Sequence, residues 1–408
     1  MKKKHSVISE SKKREFVLNR KRFERDSGQD RNSKRKKKYK KTIPLSIFSE
    51  QQKYRSHFVS EYYRPTNYKK KSEVIKIDGE FGIEEPQLVQ NFLVYAMELL
   101  NSRARMMTID FGLCTRVWPS AVTLLCALKQ WTELSGHRGQ PQQIAQFPSE
   151  SGAVNSYLYH CGFYDYVKIK EVDDLYHYSP SEIVKIKREH DGFGTSARED
   201  ELKALLVRYS DLSPDEIEVF YDRISTEIFN NVTEHGIYRR DSGWWMLAQF
   251  HETHEIISVC IADNGIGIRN SLVTGPQRNM ILKELASSPD HDGMFIKKAM
   301  ERNISGAITA PEKKKEWFGI VEYYEQGQRR GKGLQRIKEN CRALGIRLAI
   351  LSCKGYYILD EHGKEEAFGS NGGKVFAGTM YHLTIKTRRS QDENYKYRDT
   401  ILKPACQS

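Results

Sequence analysis

One helical segment constrains this chain more than any other, because it puts polar side chains where a core is expected. Ser213-Pro214-Asp215-Glu216 opens it, with serine at the N-cap, proline at the first helical position and glutamate completing a capping box. Ile217, Phe220, Tyr221, Ile224, Ile228 and Val232 follow at helical spacing and form a stripe to be buried. Projected at about 100° per residue, Glu227, Asn231 and His235 fall within or beside that stripe. Polar groups on a core-facing arc cost free energy unless something satisfies them. An ion and a polyphosphate would do so. A helix end emerging into solvent would equally accommodate all three.

Two glycine loops follow. A hairpin is expected from Trp244–His251 and 255–262, and it runs into Asp263-Asn264-Gly265-Ile266-Gly267-Ile268. Here a carboxylate ends a strand, and Gly265 and Gly267 let the backbone turn sharply and approach a flat ligand. The alternative is a simple strand-ending turn. Further on, Arg329-Arg330-Gly331-Lys332-Gly333-Leu334 opens a second amphipathic helix, with Leu334, Ile337, Cys341 and Leu344 on its apolar face and Gly345 at its end. A Gly-x-Gly loop at a helix N-terminus aims free N–H groups and the positive dipole end at an anion, and Arg330 and Lys332 add charge. The P-loop pattern G-x-x-x-x-G-K-[ST] does not occur.

In this order the three pieces resemble the GHKL superfamily of gyrases, ninety-kilodalton heat-shock chaperones, histidine kinases and mismatch-repair ATPases. Glu227, Asn231 and His235 match its N box, Asp263–Gly267 its first glycine box, and Gly331-Lys332-Gly333-Leu334 its second. Residues 346–352 read as a following strand, and 376–383, with Gly378-Thr379, resemble the family's terminal strand. The resemblance spans about 205–388. It implies a Bergerat-fold α/β sandwich, a mixed sheet with helices on one face, that binds ATP and magnesium. Asp263 would accept the adenine amine, with Thr379 assisting. Asn231 would coordinate Mg²⁺, Glu227 would be the general base, and His235 would belong to the same cluster. Gly265 and Gly267 would pass close to the nucleotide. Arg330, Gly331, Lys332, Gly333 and Leu334 would line the phosphates, and residues 303–328 would be a mobile lid.

The preceding half reads as strand (73–79), helix (86–100), strand (105–111) and helix (120–134), a small α/β unit. With the helix-like stretch 151–163 it resembles a STAS domain, the fold of anti-sigma-factor antagonists. That family's phosphorylated serine follows an aspartate, whereas Val117-Trp118-Pro119-Ser120-Ala121 carries none, so Ser120 is expected to be a helix cap. The expected organisation is α/β throughout: a basic tail (1–70), a STAS-like domain (71–175), a linker (176–204), the nucleotide-binding domain (205–388) and a C-terminal tail (389–408).

Charge and cysteine usage narrow the function classes. Residues 1–41 hold 18 Lys/Arg and 5 Asp/Glu, which accounts for the whole net charge of +13. Such a segment is expected to be disordered and suited to nucleic acid or an acidic partner, or to be a solvated tail. Seven scattered cysteines without C-x-x-C spacing argue for reduced thiols in a cytoplasmic setting. No apolar run is long enough to span a bilayer, so no membrane is expected. The polar stretch 176–210 leaves no room for a phosphoacceptor hairpin, which sets aside two-component autophosphorylation. The expectation is a Mg-ATP-driven ATPase switch acting on a protein partner or on a second copy as a dimer. A serine/threonine kinase of the anti-sigma type and an ATP-gated adaptor without turnover are the alternatives.

Overall fold

Strands that are apolar along most of their length dictate the architecture, because a strand with little polar surface on either face must be covered on both sides. The computed structural model describes residues 70–84, 88–101, 104–135, 143–147, 152–167, 182–189, 195–232, 243–275, 277–286, 292–301, 304, 332–369 and 376–387. The protein is mixed α/β, and Phe58–Ser408 forms one compact unit.

Its first part alternates strands and helices: β1 (Lys70–Phe81), α1 (Val89–Asn101), β2 (Ala104–Val117), α2 (Pro119–Ser135), β3 (Gln143–Phe147), α3 (Gly152–His160) and α4 (Phe163–Val167). The three strands form a parallel sheet in the order β1-β2-β3. In β1, Ile75 and Ile77 are buried while Val74, Lys76 and Asp78 are exposed, the period of two of a half-covered strand. In α2 every residue from Ser120 to Ala127 is buried. A helix buried all round needs packing partners on opposite sides.

The second partner of α2 is a seven-stranded sheet. Its strands are β4 (Ile183–Glu189), β5 (Trp244–His251), β6 (Ile256–Asp263), β7 (Arg347–Cys353), β8 (Gly355–Leu359), β9 (Glu365–Gly369) and β10 (Phe376–Lys386), in the order β4-β5-β6-β10-β7-β8-β9. Every neighbouring pair is antiparallel, so the expectation of a mixed sheet is corrected. One face (Met246, Val259, Ile261, Leu348, Ile350, Tyr381, Leu383) packs against helices α5 (Thr195–Tyr209), α6 (Pro214–Val219), α7 (Thr226–Asn231), α8 (Ile268–Thr274), α9 (Arg278–Leu285), α10 (Asp292–Ala299) and α11 (Gly333–Ala343). The other face (Trp245, Leu247, Ala262, Ala349, Leu351, Met380) shares a core with α2 and the first sheet. Helices therefore cover both faces, not one.

The stretch 176–204 is likewise more than a linker, since it contains β4 and the first part of α5. Ile183, Val184 and Ile186 bury, while Lys185 and Lys187 stay exposed. Lysines along a sheet edge discourage edge-to-edge pairing and give a strand a polar appearance in sequence.

The segment 214–231 is continuous in helical backbone but widens to a π-helix over Phe220–Ser225 between α6 and α7. Among its buried residues and the one that follows it, Phe220, Ile224, Ile228 and Val232 recur every four positions, beside Ile217, Ser225 and Phe229. A step of four overshoots a 3.6-residue turn by about 40°, and the wider turn takes up that drift. The capping box forms as expected: the Glu216 N–H donates to Ser213 Oγ and the Ser213 N–H to Glu216 Oε2. Six cysteines are buried free thiols, and among the described residues no helix is long and apolar enough to cross a membrane.

Candidate functional site

Strand alternation sends Asp263, at the end of β6, toward the helical face of the large sheet. It pairs with Trp244 on one side and Thr379 on the other, and it is buried. The Gly265 N–H donates to its Oδ1 at 2.7 Å. Burial pushes its carboxyl up to about 7, against the pull of backbone hydrogen bonds from Gly265 and Thr379.

The backbone around Asp263 requires glycine at two points, one in the loop that follows it and one on the neighbouring strand β10. Gly267 has φ 75°, and a Cβ there would lie 2.6 Å from Cys353 Sγ. Gly378 has φ 133°, and a Cβ there would lie 2.0 Å from the Asp263 carbonyl oxygen. Ser352, at the end of β7, ties the two loops together. Its Oγ accepts the Ile268 N–H at 2.8 Å, donates to the Gly378 carbonyl at 2.9 Å and lies 3.3 Å from Thr379 Oγ1. Asn264 Oδ1 accepts the Gly243 N–H, closing the loop onto the start of β5.

The second cluster forms where α7 meets α11. Glu227 and Asn231 stand one turn apart on α7. Gly333 begins α11 so close to them that a Cβ would lie 3.0 Å from Glu227 Oε2 and 3.6 Å from Asn231 Oδ1. Arg336, one turn into α11, donates from Nη1 to Glu227 Oε1 at 2.6 Å. Lys332 is the residue preceding the helix, and Leu334 is half-buried against the helical core. His235, Arg330 and Gly331 lie outside the described residues, as does nearly all of 303–328.

Tyr381 connects the two clusters. It sits two residues beyond Thr379 on β10, and its phenol lies close enough to both Asn231 and Asp263 to feel them, while the buried Asn231 Nδ2 has no hydrogen-bond partner among the described residues. Burial first, and Asp263 second, push its phenol up. The structure thus brings together Glu227, Asn231 and Gly333 at one end, and Asp263, Gly265, Gly267 and Thr379 at the other. Sequence reasoning noted the Gly378-Thr379 pair on its strand but gave Gly378 no place in the site, and it missed Ser352 and Arg336, which carry no signal beyond their chemistry.

A further polar cluster lies on the opposite face of the same sheet, where Glu84, Cys260 and His382 bring potential metal-ligand atoms within 4.8 Å of one another. The donor set does not suit a metal. Glu84 Oε2 takes the Ile83 N–H and Ser120 Oγ, and Oε1 takes the Ser120 N–H and Ser258 Oγ. Four donors use all the lone-pair sites of one carboxylate. Arg347, bonded to the carbonyls of Ile83 and Glu84, adds a fixed cation beside them. His382 Nε2 meets Ser258 Oγ at 2.9 Å while its Nδ1 has no partner, which also differs from a hydrolytic triad. Ser120 is fully buried as the second residue of α2, and the cap of that helix is the Glu84 carboxylate, not Ser120 itself.

No model of a protein family matches this chain, and no curated protein matches it.

Proposed function

We propose that the helical face of the large sheet binds an adenine nucleotide with magnesium, as in the Bergerat fold of GHKL proteins, and that the protein is an ATPase used as a nucleotide-driven switch. The observation that carries this reading is the single strand β10. Thr379 lies against the buried Asp263, and Tyr381, two residues on, lies near Asn231, whose buried Nδ2 has no hydrogen-bond partner among the described residues. One strand therefore joins a carboxylate suited to a purine edge with an amide, a carboxylate and a glycine-led helix suited to phosphates.

In this reading Asp263 accepts the exocyclic amine of adenine, and Thr379 and Ser352 hold the backbone around it. Gly267 and Gly378 let the backbone pack tightly around Asp263, because any side chain there would collide with Cys353 or with the Asp263 carbonyl. The N-terminus of α11 faces the phosphates. Asn231 holds the magnesium, which would neutralise charge developing on the phosphate oxygens. Glu227 orients the attacking water and receives its proton.

The test is incubation of the full chain with γ-labelled ATP and Mg²⁺. Release of free phosphate, lost in Glu227→Ala with ATP binding retained, supports the ATPase. Label transferred to a partner protein would make it a kinase instead. Undiminished turnover in Glu227→Ala would remove that residue from its role.

A further inference from the structure

We infer that Arg336 is a positioning residue for Glu227, setting the carboxylate's orientation and leaving one of its oxygens for the reacting water. The inference rests on the nucleotide reading above and adds a residue to it.

The geometry is one-sided. Arg336 Nη1 contacts Glu227 Oε1 at 2.6 Å, while Glu227 Oε2 is turned to Gly333, where a Cβ would stand 3.0 Å away. The held oxygen therefore points into the α7–α11 contact, and the free oxygen points at the start of the phosphate-facing helix. Most ion pairs between exposed side chains have little consequence, because water screens them and both chains must be ordered. This one is set deeper, with Glu227 only 17% and Arg336 33% exposed. Among the described residues neither side chain forms another ion pair. The guanidinium is always charged and donates from a rigid fork, so it fixes direction as well as charge. Because Arg336 rides on the helix that Gly333 begins, a shift of α11 on phosphate contact would carry Glu227 with it.

A residue that works only through Glu227 has a distinctive signature. Single-turnover hydrolysis of labelled Mg-ATP by the full chain should slow at least about tenfold in Arg336→Gln. Calorimetric ATP affinity should stay within about threefold, because Arg336 is not assigned to the phosphates. Arg336→Lys should recover part of the rate. On the residual single-turnover rate of Glu227→Ala, Arg336→Gln should cost less than about twofold more, since residues acting as one unit are not additive.

Additive losses in the double variant would overturn the inference, as would ATP affinity falling in step with rate, or an unchanged rate in Arg336→Gln. The two levels separate cleanly. Wild-type protein that binds no ATP sinks the nucleotide reading together with the inference. ATP binding with Glu227-dependent turnover and an indifferent Arg336 sinks the inference alone.

Discussion

Glu84 and Asp263 are both carboxylates buried against the same seven-stranded sheet, one on each face, and the protein treats them in opposite ways. Glu84 is surrounded by four donors drawn from Ile83, Ser120 and Ser258, and Arg347 clamps its backbone. Burial raises both carboxyls, but Asp263 has only backbone hydrogen bonds, from Gly265 and Thr379, to offset it, and its carboxyl stands at about 7. The same strands supply both environments through alternation. Ser258 and Cys260 on β6, His382 on β10 and Arg347 on β7 face the Glu84 side, whereas Asp263, Thr379, Tyr381 and Ser352 face the helices. A buried polar group saturated by its own chain is a stitch between layers. One left short of partners next to glycine-walled backbone is a place for a ligand.

Substitution should separate the two sides. The largest effect is expected from Glu84→Ala, which strands the donors of Ile83, Ser120 and Ser258 inside a dry interface and should cost about 3 kcal/mol or more of stability. Urea unfolding measures it, and the protein that remains folded should bind ATP as before. Asp263→Ala should do the reverse, weakening ATP binding at least a hundredfold, about 3 kcal/mol, with little loss of stability. A Glu84 variant that weakens nucleotide binding at unchanged stability would erase the distinction between the two faces.

Proton linkage sharpens the comparison. Asp263 stands at about 7 in the fold against an ordinary 3.8. A raised carboxyl stabilises the fold fully below its unfolded value, and that contribution fades as pH rises through the folded one. Asp263→Asn lacks this fade, so its stability advantage over the parent should grow between about pH 4 and 7 and then level off. ATP affinity should fall by up to about tenfold per unit below pH 7, because the neutral acid must lose its proton before accepting an amine. Titrations across pH 5.5–8.5, a window chosen on each side of about 7, measure this. The smallest effect is expected at Ser352→Ala, which frees the Ile268 N–H and the Gly378 carbonyl and should cost about 1 kcal/mol of stability.

Legibility followed range along the chain. The capping box at Ser213, the β5–β6 hairpin, α11 ending at Gly345, and strands β7 and β10 were readable, because each is written in neighbouring residues. Alternating lysines hid β4, and the double-sided covering of the sheet was visible only as unbroken apolar runs such as 244–248, which fit a buried helix segment as well. Within the candidate site, Glu227 and Asn231 stood out as polar side chains on a core-facing arc, Asp263 as a carboxylate ending a strand, and Thr379 only through the family resemblance. Arg336 did not, because an arginine on an amphipathic helix reads as surface until the fold sets it against a residue 109 positions earlier. The Glu84 stitch is further from local pattern still, joining residues 174 and 263 positions apart.

The central claim is that Asp263 reads a purine at the open end of a sheet whose other face is sealed. Isothermal titration of the full-length chain and of Asp263→Ala with ATP, in magnesium at about pH 8, above the carboxyl's value of about 7, tests it most directly. The account predicts a single saturable site in the parent, preference for ATP over GTP, and no measurable binding in the variant. Absence of heat in the parent, equal heat with GTP, or an unaltered isotherm for Asp263→Ala would contradict it.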